Sequence, residues 1–285
     1  MRILDTETLN KIQALSLQMN MALEGQAAGN RKSRSKGSSV EFSDYREYVP
    51  GDDFRRIDWN AYGRFDKLFV KLFTEEREAP VQIFPDTSLS MDYGEPNKNV
   101  ASRRLAAALS YLSLASYDRV YVMPWNTRVA GTFGPYRTKA SFMEVVKVLE
   151  EIPNRGESDF TQSLRNLEWK TGRGISVVIT DGLVNGNLDE GLKYLKYRNQ
   201  EVYLCHILSP QELAPDLTGA LELVDGETGQ RMEVTVSSML LEAYEKSLKR
   251  FLSDMKEQCR KWGVHYALLP SDTPVDRMVR DVVLA

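Results

Sequence analysis

A chain of 285 residues that is 42% hydrophobic can bury a large core, which excludes a disordered chain and leaves one enlarged α/β domain or a domain with an appendage. The formal net charge of −3 offers no general attraction to nucleic acid, and the longest apolar runs fall far short of a membrane span. Only Cys205 and Cys259 occur, in no C-x-x-C spacing, so disulfide frameworks and zinc clusters lack their raw material.

The start, MRILDTETLNKIQALSLQMNMAL, is amphipathic, with acids in its first turn rather than a basic region before a hydrophobic block, and the expectation is a soluble cytoplasmic protein. Leu4 to Leu23 has apolar residues at helical spacing, and the Gly/Ser/Lys-rich stretch Gly25 to Ser39 reads as a flexible connector. Its basic run, Arg31 to Lys36, reads as a solvated loop. From Val40 to Glu78 the pattern becomes short β-like runs around a turn at Pro50-Gly51-Asp52-Asp53, which predicts a small β-rich attachment over residues 1–78 together with the first helix.

Over residues 79–285 the rhythm is strand then helix: a strand Val81 to Phe84, a helix Val100 to Tyr117, a strand Arg119 to Met123 and a helix Ser141 to Glu150. A helix after Thr161, the strand Ile175 to Thr180, a helix Leu188 to Arg198 and the strand Glu201 to Ile207 continue it. A hairpin over Leu221 to Val236, a helix Ser237 to Trp262, a strand Val264 to Leu269 and a helix from Pro274 complete the chain. This alternation predicts an α/β fold with a mostly parallel sheet.

In such sheets functional residues gather at the carboxyl ends of strands. Asp86 follows VQIFP and Asp181 follows ISVVIT, so neighbouring strands would put both carboxylates on one rim. The period-two spacing of Asp86, Ser88 and Ser90 lets an extended turn point three oxygens one way, and ESDFTQSL can bring Thr161 to the same rim. Hard oxygen donors of this kind suit magnesium or manganese. The competing reading is a polar turn capping the next helix.

Asp86-x-Ser88-x-Ser90, Thr161 and Asp181-Gly182 together resemble the metal-ion-dependent adhesion site of von Willebrand factor A domains. The segment EFSDYREYVPGDDFRRIDWNAYGRFDKLFVK, Glu41 to Lys71, is similar to the hallmark of the bacterial family catalogued as domain of unknown function 58, and LELVDGETGQ and LLPSDTP extend the likeness toward the end of the chain. The resemblance implies a von Willebrand factor A-like sheet with helices on both faces. It also implies an ion bound directly by Ser88 and Ser90, directly or through water by Thr161, and through waters by Asp86 and Asp181. A partner's carboxylate would take the remaining position. Members resemble one another in being encoded beside MoxR-type AAA+ ATPases, which implies a partner of that class and a chaperone-like role. Pro85 before the aspartate and Gly63-Arg64 in place of Ala-Arg depart from the family pattern, and many relatives carry membrane helices before the hallmark.

Within the hallmark, Arg46, Glu47, Asp52, Asp53, Arg55, Arg56 and Asp58 mix both signs beside Tyr48 and Trp59. They read as a structural ion-pair network or as a docking surface in which Arg46, Arg55, Arg56 and Trp59 contact a partner. His206 and His265 fall in strands and read as packed residues, so no catalytic constellation emerges. The enzymatic rival is a magnesium-dependent phosphohydrolase with Asp86 as nucleophile; its second aspartate is replaced here by Ser88. The expected function is therefore a non-enzymatic, metal-dependent protein-interaction adaptor.

Overall fold

The computed structural model describes residues 3–26, 41–50, 52–54, 57–65, 67–74, 79–165, 167–169, 172–226 and 229–285. The basic run at Arg31 to Lys36 and most of the expected connector lie outside them. Two compact units emerge, residues 24–78 and residues 1–23 with 79–285. The first helix, α1 (Thr6–Gln26), therefore packs mainly with the large unit: Ile3, Ile12 and Leu15 are buried in its core. Grouping that helix with the attachment is corrected by this burial.

The small unit pairs β1 (Glu41–Glu47) with β2 (Phe69–Thr74) antiparallel. Between them lies α2 (Trp59–Phe65), a short helix in a stretch that the sequence suggests is β-rich. Asp58 starts it, its Oδ1 accepting from the backbone N–H of Asn60 (2.9 Å) and Ala61 (3.3 Å), the N-cap chemistry that satisfies orphan donors of a first turn.

The large unit continues with β3 (Pro80–Pro85), α3 (Lys98–Ala115), β4 (Arg119–Val122), β5 (Phe133–Tyr136), α4 (Phe142–Glu151), α5 (Phe160–Arg165), β6 (Gly174–Thr180) and α6 (Leu188–Tyr197). It ends with β7 (Gln200–Leu208), α7 (Pro210–Leu213), the hairpin β8 (Gly219–Val224) and β9 (Arg231–Val236), α8 (Ser238–Trp262), β10 (His265–Pro270) and α9 (Val275–Val283). The main sheet runs β10-β7-β6-β3-β4-β5, parallel except for β5.

Alternation along the strands decides which helices cover which face. Val81, Ile83, Val177, Ile179, Cys205 and Ile207 face α1, α3, α4 and α9, whereas Phe84, Val178, Val202 and Leu204 face α5, α6 and α8. Strands buried on both faces read as nearly continuous apolar runs, as these do. The chain leaves β3 toward β4 and leaves β6 toward β7, in opposite directions, so the boundary between β3 and β6 is the switch point where such sheets open a crevice at their carboxyl ends.

Candidate metal centre

Both acids sit at that switch point. Pro85 pairs with Ile179, and the backbone N–H of Asp86 donates to the Ile179 carbonyl at 2.8 Å. Pro85 has no N–H, which the strand end tolerates. The Asp86 side chain is 1% exposed. Its Oδ2 accepts from the Thr180 hydroxyl (2.7 Å) and its Oδ1 from the Ser88 amide (2.9 Å). The second bond curls the chain so that Ser88 Oγ and Ser90 Oγ face each other at 3.0 Å. Asn154 Nδ2 donates to the Ser88 carbonyl, and the buried Arg103 holds Asn154 through its Oδ1.

Three loops are stitched together here. Leu89 N–H donates to the Gly156 carbonyl, Arg155 N–H to the Thr87 carbonyl, and Asn185 N–H to the Ser158 carbonyl. Ser158, which these bonds bring against the loop after β6, is fully buried, its hydroxyl donating to the Leu183 carbonyl at 3.4 Å. Thr161, expected at the rim, has its hydroxyl committed elsewhere: it donates to the Asn187 carbonyl at 2.7 Å, where α5 meets the start of α6. Thr161 is the second residue of α5 and its hydroxyl faces α6, while Ser158 precedes the helix, in the loop. Its signal in the sequence was a small hydroxyl just ahead of a helix start.

Asp181 is fully buried. Its Oδ1 accepts from the Leu183 amide (3.0 Å) and its Oδ2 from the Lys98 ammonium (2.8 Å). Its carbonyl meets His206 Nε2 at 2.8 Å, and His206 Nδ1 meets the Tyr266 hydroxyl at 2.9 Å. A carbonyl only accepts, so Nε2 carries the proton and Nδ1 accepts from Tyr266. Burial depresses the His206 pKa to about 4, outweighing the Asp181 contacts that raise it, and keeps the ring neutral.

Lys98 and Glu212 are absent from the candidates that the sequence suggests. Asn97 caps α3, its side chain accepting from Asn99 and Val100 N–H, and so places Lys98 in the first turn. Glu212 closes the capping box of α7 with Ser209 and accepts from Lys98 at 2.6 Å. The S-x-x-E pattern Ser209 to Glu212 was readable as a helix start; its partner twelve positions after Asp86 was not, because only the tertiary fold brings them together. Burial works to lower the Lys98 pKa, but Asp181 and Glu212 outweigh it and the net direction is upward.

The donors fit a hard divalent cation in their chemistry. Among the described residues no three His, Cys, Asp or Glu side chains form a ligand set, which leaves hydroxyls as the main donors. Among the described residues no Lys, Arg or His forms an ion pair with Asp86; burial first, and the Asp181 charge second, push its pKa from 3.8 to about 7. Asp86 is thus a buried carboxyl that holds its proton up to about neutral pH, beside two facing hydroxyls, and each of its oxygens retains acceptor capacity.

A family model described as protein of unknown function DUF58 matches residues 44–251. The chain belongs to that family. Uncharacterised proteins of Mycobacterium tuberculosis and Mycobacterium bovis are 24% identical to this chain, covering 94% of it and 86% of their own length. Among solved structures, an aerotolerance-related membrane protein from Bacteroides fragilis is similar at 14% identity and a TM-score of 0.45, covering 73% of this chain and 100% of that one. The SpRpn10 VWA domain is similar at 12% identity and a TM-score of 0.39, covering 71% and 94%. Among the described residues no helix is long and apolar enough to cross a membrane.

The DUF58 match includes most of the hallmark. Arg46 Nη2 bonds Asp52 Oδ1 at 2.7 Å and the Tyr45 hydroxyl donates to Asp58 Oδ2 at 2.8 Å, so these polar groups are tied within the small unit. Trp59 is 63% exposed and meets Tyr62 edge to face. Arg55 and Arg56 lie outside the described residues.

Proposed function

We propose that this DUF58 protein is a metal-dependent protein-interaction module, an adaptor that works with a MoxR-type AAA+ ATPase and has a chaperone-like role in assembling or maturing other proteins. The observation that carries the ion site is the pair of hydroxyls, Ser88 and Ser90, facing each other beside the buried carboxyl of Asp86, whose charged form burial and Asp181 disfavour until a cation joins it. When bound, magnesium or manganese supplies a hard Lewis-acid position that a carboxylate of the partner completes. Ser88 and Ser90 present neutral oxygens, Asp86 supplies charge and orients Ser88 through its amide, and Asp181 is held in place by Leu183 and His206. The resemblance alone supports the ATPase partner.

Binding is favoured over phosphohydrolysis on three grounds. Serine stands at 88 where a second carboxylate is needed, both His206 nitrogens are engaged, and burial pushes the Cys205 and Cys259 thiols far up. Magnesium or manganese at 100 times Kd should add about 2.7 kcal/mol by mass action, several degrees of melting temperature relative to EDTA. Ser88→Ala should abolish that increment. Pull-down of the ATPase should require the ion, and full-strength capture in EDTA would defeat the adaptor mechanism.

A further inference from the structure

The rim proposed to take a metal already has one cation built into it. Lys98 is 1% exposed, with its ammonium 2.8 Å from Asp181 Oδ2 and 2.6 Å from Glu212 Oε1. A lysine in the first turn of a helix opposes the helix dipole, and a buried ammonium is tolerated only when paired. Both costs imply that these two carboxylates are what hold it there.

We propose that Lys98 is a tethered cation that competes with a divalent ion for Asp181, and thereby sets how tightly the site takes metal. The inference rests on the ion-site reading and deepens it. Asp181 Oδ1 is already engaged by the Leu183 amide, so an ion drawing on this carboxylate, directly or through water, must share it with the ammonium. A single and a double positive charge near one carboxylate repel strongly where water is excluded. Glu212 makes the exchange feasible: fixed by its capping box, it offers Lys98 a second anchor. The ammonium can give up Asp181 without becoming an unpaired buried charge.

The geometry therefore assigns opposite effects to the two partners. Removing the tethered charge should free Asp181 for the ion and tighten binding. Removing Glu212 should leave Lys98 with Asp181 alone and weaken binding. Neither residue belongs to the proposed ligand set.

The test is manganese titration of the full chain, followed by calorimetry, with melting temperatures in manganese and in EDTA. Lys98→Met should bind about tenfold more tightly or better, melt lower than wild type in EDTA and recover in manganese. Glu212→Gln should bind several-fold more weakly. If Lys98→Met folds only in manganese, that dependence itself supports the competition; if it folds in neither condition, Glu212→Gln decides alone. Manganese binding by Lys98→Met but not by wild type also supports the competition and shows Lys98 standing in the ion's place. Wild-type affinity in both variants, weaker binding by Lys98→Met, or unchanged or tighter binding by Glu212→Gln overturns the competition while leaving the ion site intact. No binding by wild type or either variant removes the ion site, and the competition with it.

Discussion

Replacing Asp86 with asparagine should stabilise the metal-free protein above neutral pH and weaken it slightly in acid. Burial and the Asp181 charge raise the Asp86 pKa from 3.8 to about 7, so the folded state holds the proton more tightly than the unfolded chain does. The stability this group contributes is complete below about pH 4 and is lost as pH rises through 7. The loss amounts to about 4 kcal/mol at pH 8. Asparagine carries no charge, but its one acceptor oxygen cannot serve both Thr180 and Ser88, and a lost hydrogen bond costs about 1 kcal/mol. The net is a gain of about 3 kcal/mol at pH 8, roughly 6–12 °C in melting temperature for a chain of this size, and a loss of about 1 kcal/mol near pH 4. Thermal melts of both proteins in EDTA at the two pH values measure it. An equal difference at both would refute the charge argument. In magnesium the order at pH 8 should narrow or reverse, because only the wild type gains from the ion.

Ser158→Ala should reduce the ion-dependent rise in melting temperature, whereas Thr161→Ala should leave that rise intact and cost about 1 kcal/mol through the lost bond to Asn187; the reverse pattern would return Thr161 to the site. His206, its pKa lowered from 6.5 to about 4, contributes stability that is complete above pH 6.5 and falls by about 3 kcal/mol as pH drops toward 4. His206→Gln should remove that slope in pH-dependent urea melts, and because the slope opposes that of Asp86, each shows only as a difference from wild type. Gly174→Ala should cost about 2 kcal/mol by overpacking, since its Cβ would lie 2.3 Å from the Pro80 carbonyl oxygen at the start of the β3–β6 pair; chemical denaturation with a wild-type midpoint would contradict that close approach.

The central strands are legible because burial on both faces leaves unbroken apolar runs such as ISVVIT, and Asp86 and Asp181 are legible because each ends one. Elements of other kinds escape the same reasoning. The edge strand β5 contains Gly134 and Pro135, residues that count against a strand interior, and it survives at the sheet's border where a missing donor faces no neighbour on one side. The helix α2 has seven residues, too few for a helical period to repeat, although Asp58 at its start carried a capping signal. Thr161 and Ser158 differ by three positions, and only tertiary bonds, residues 155 and 156 to 87–89, Ser158 to the loop after β6 and Thr161 to Asn187, decide where each hydroxyl points.

The arrangement of charge explains why composition and motif could indicate an ion site without indicating its control. Three acidic side chains, Asp86 after β3, Asp181 after β6 and Glu212 in α7 beyond β7, meet at this rim, and one lysine from a helix start bridges two of them. The motif contributes only the part left unbalanced, Asp86 with its two serines. A rim built from hydroxyls and a shared lysine carries less net negative charge without a metal than one built from unshared carboxylates, so a smaller difference in free energy separates its metal-free and metal-bound states. A site of three or four unshared carboxylates would bind its ion too firmly, and repel itself too strongly without one, for a partner's single acid to decide the outcome.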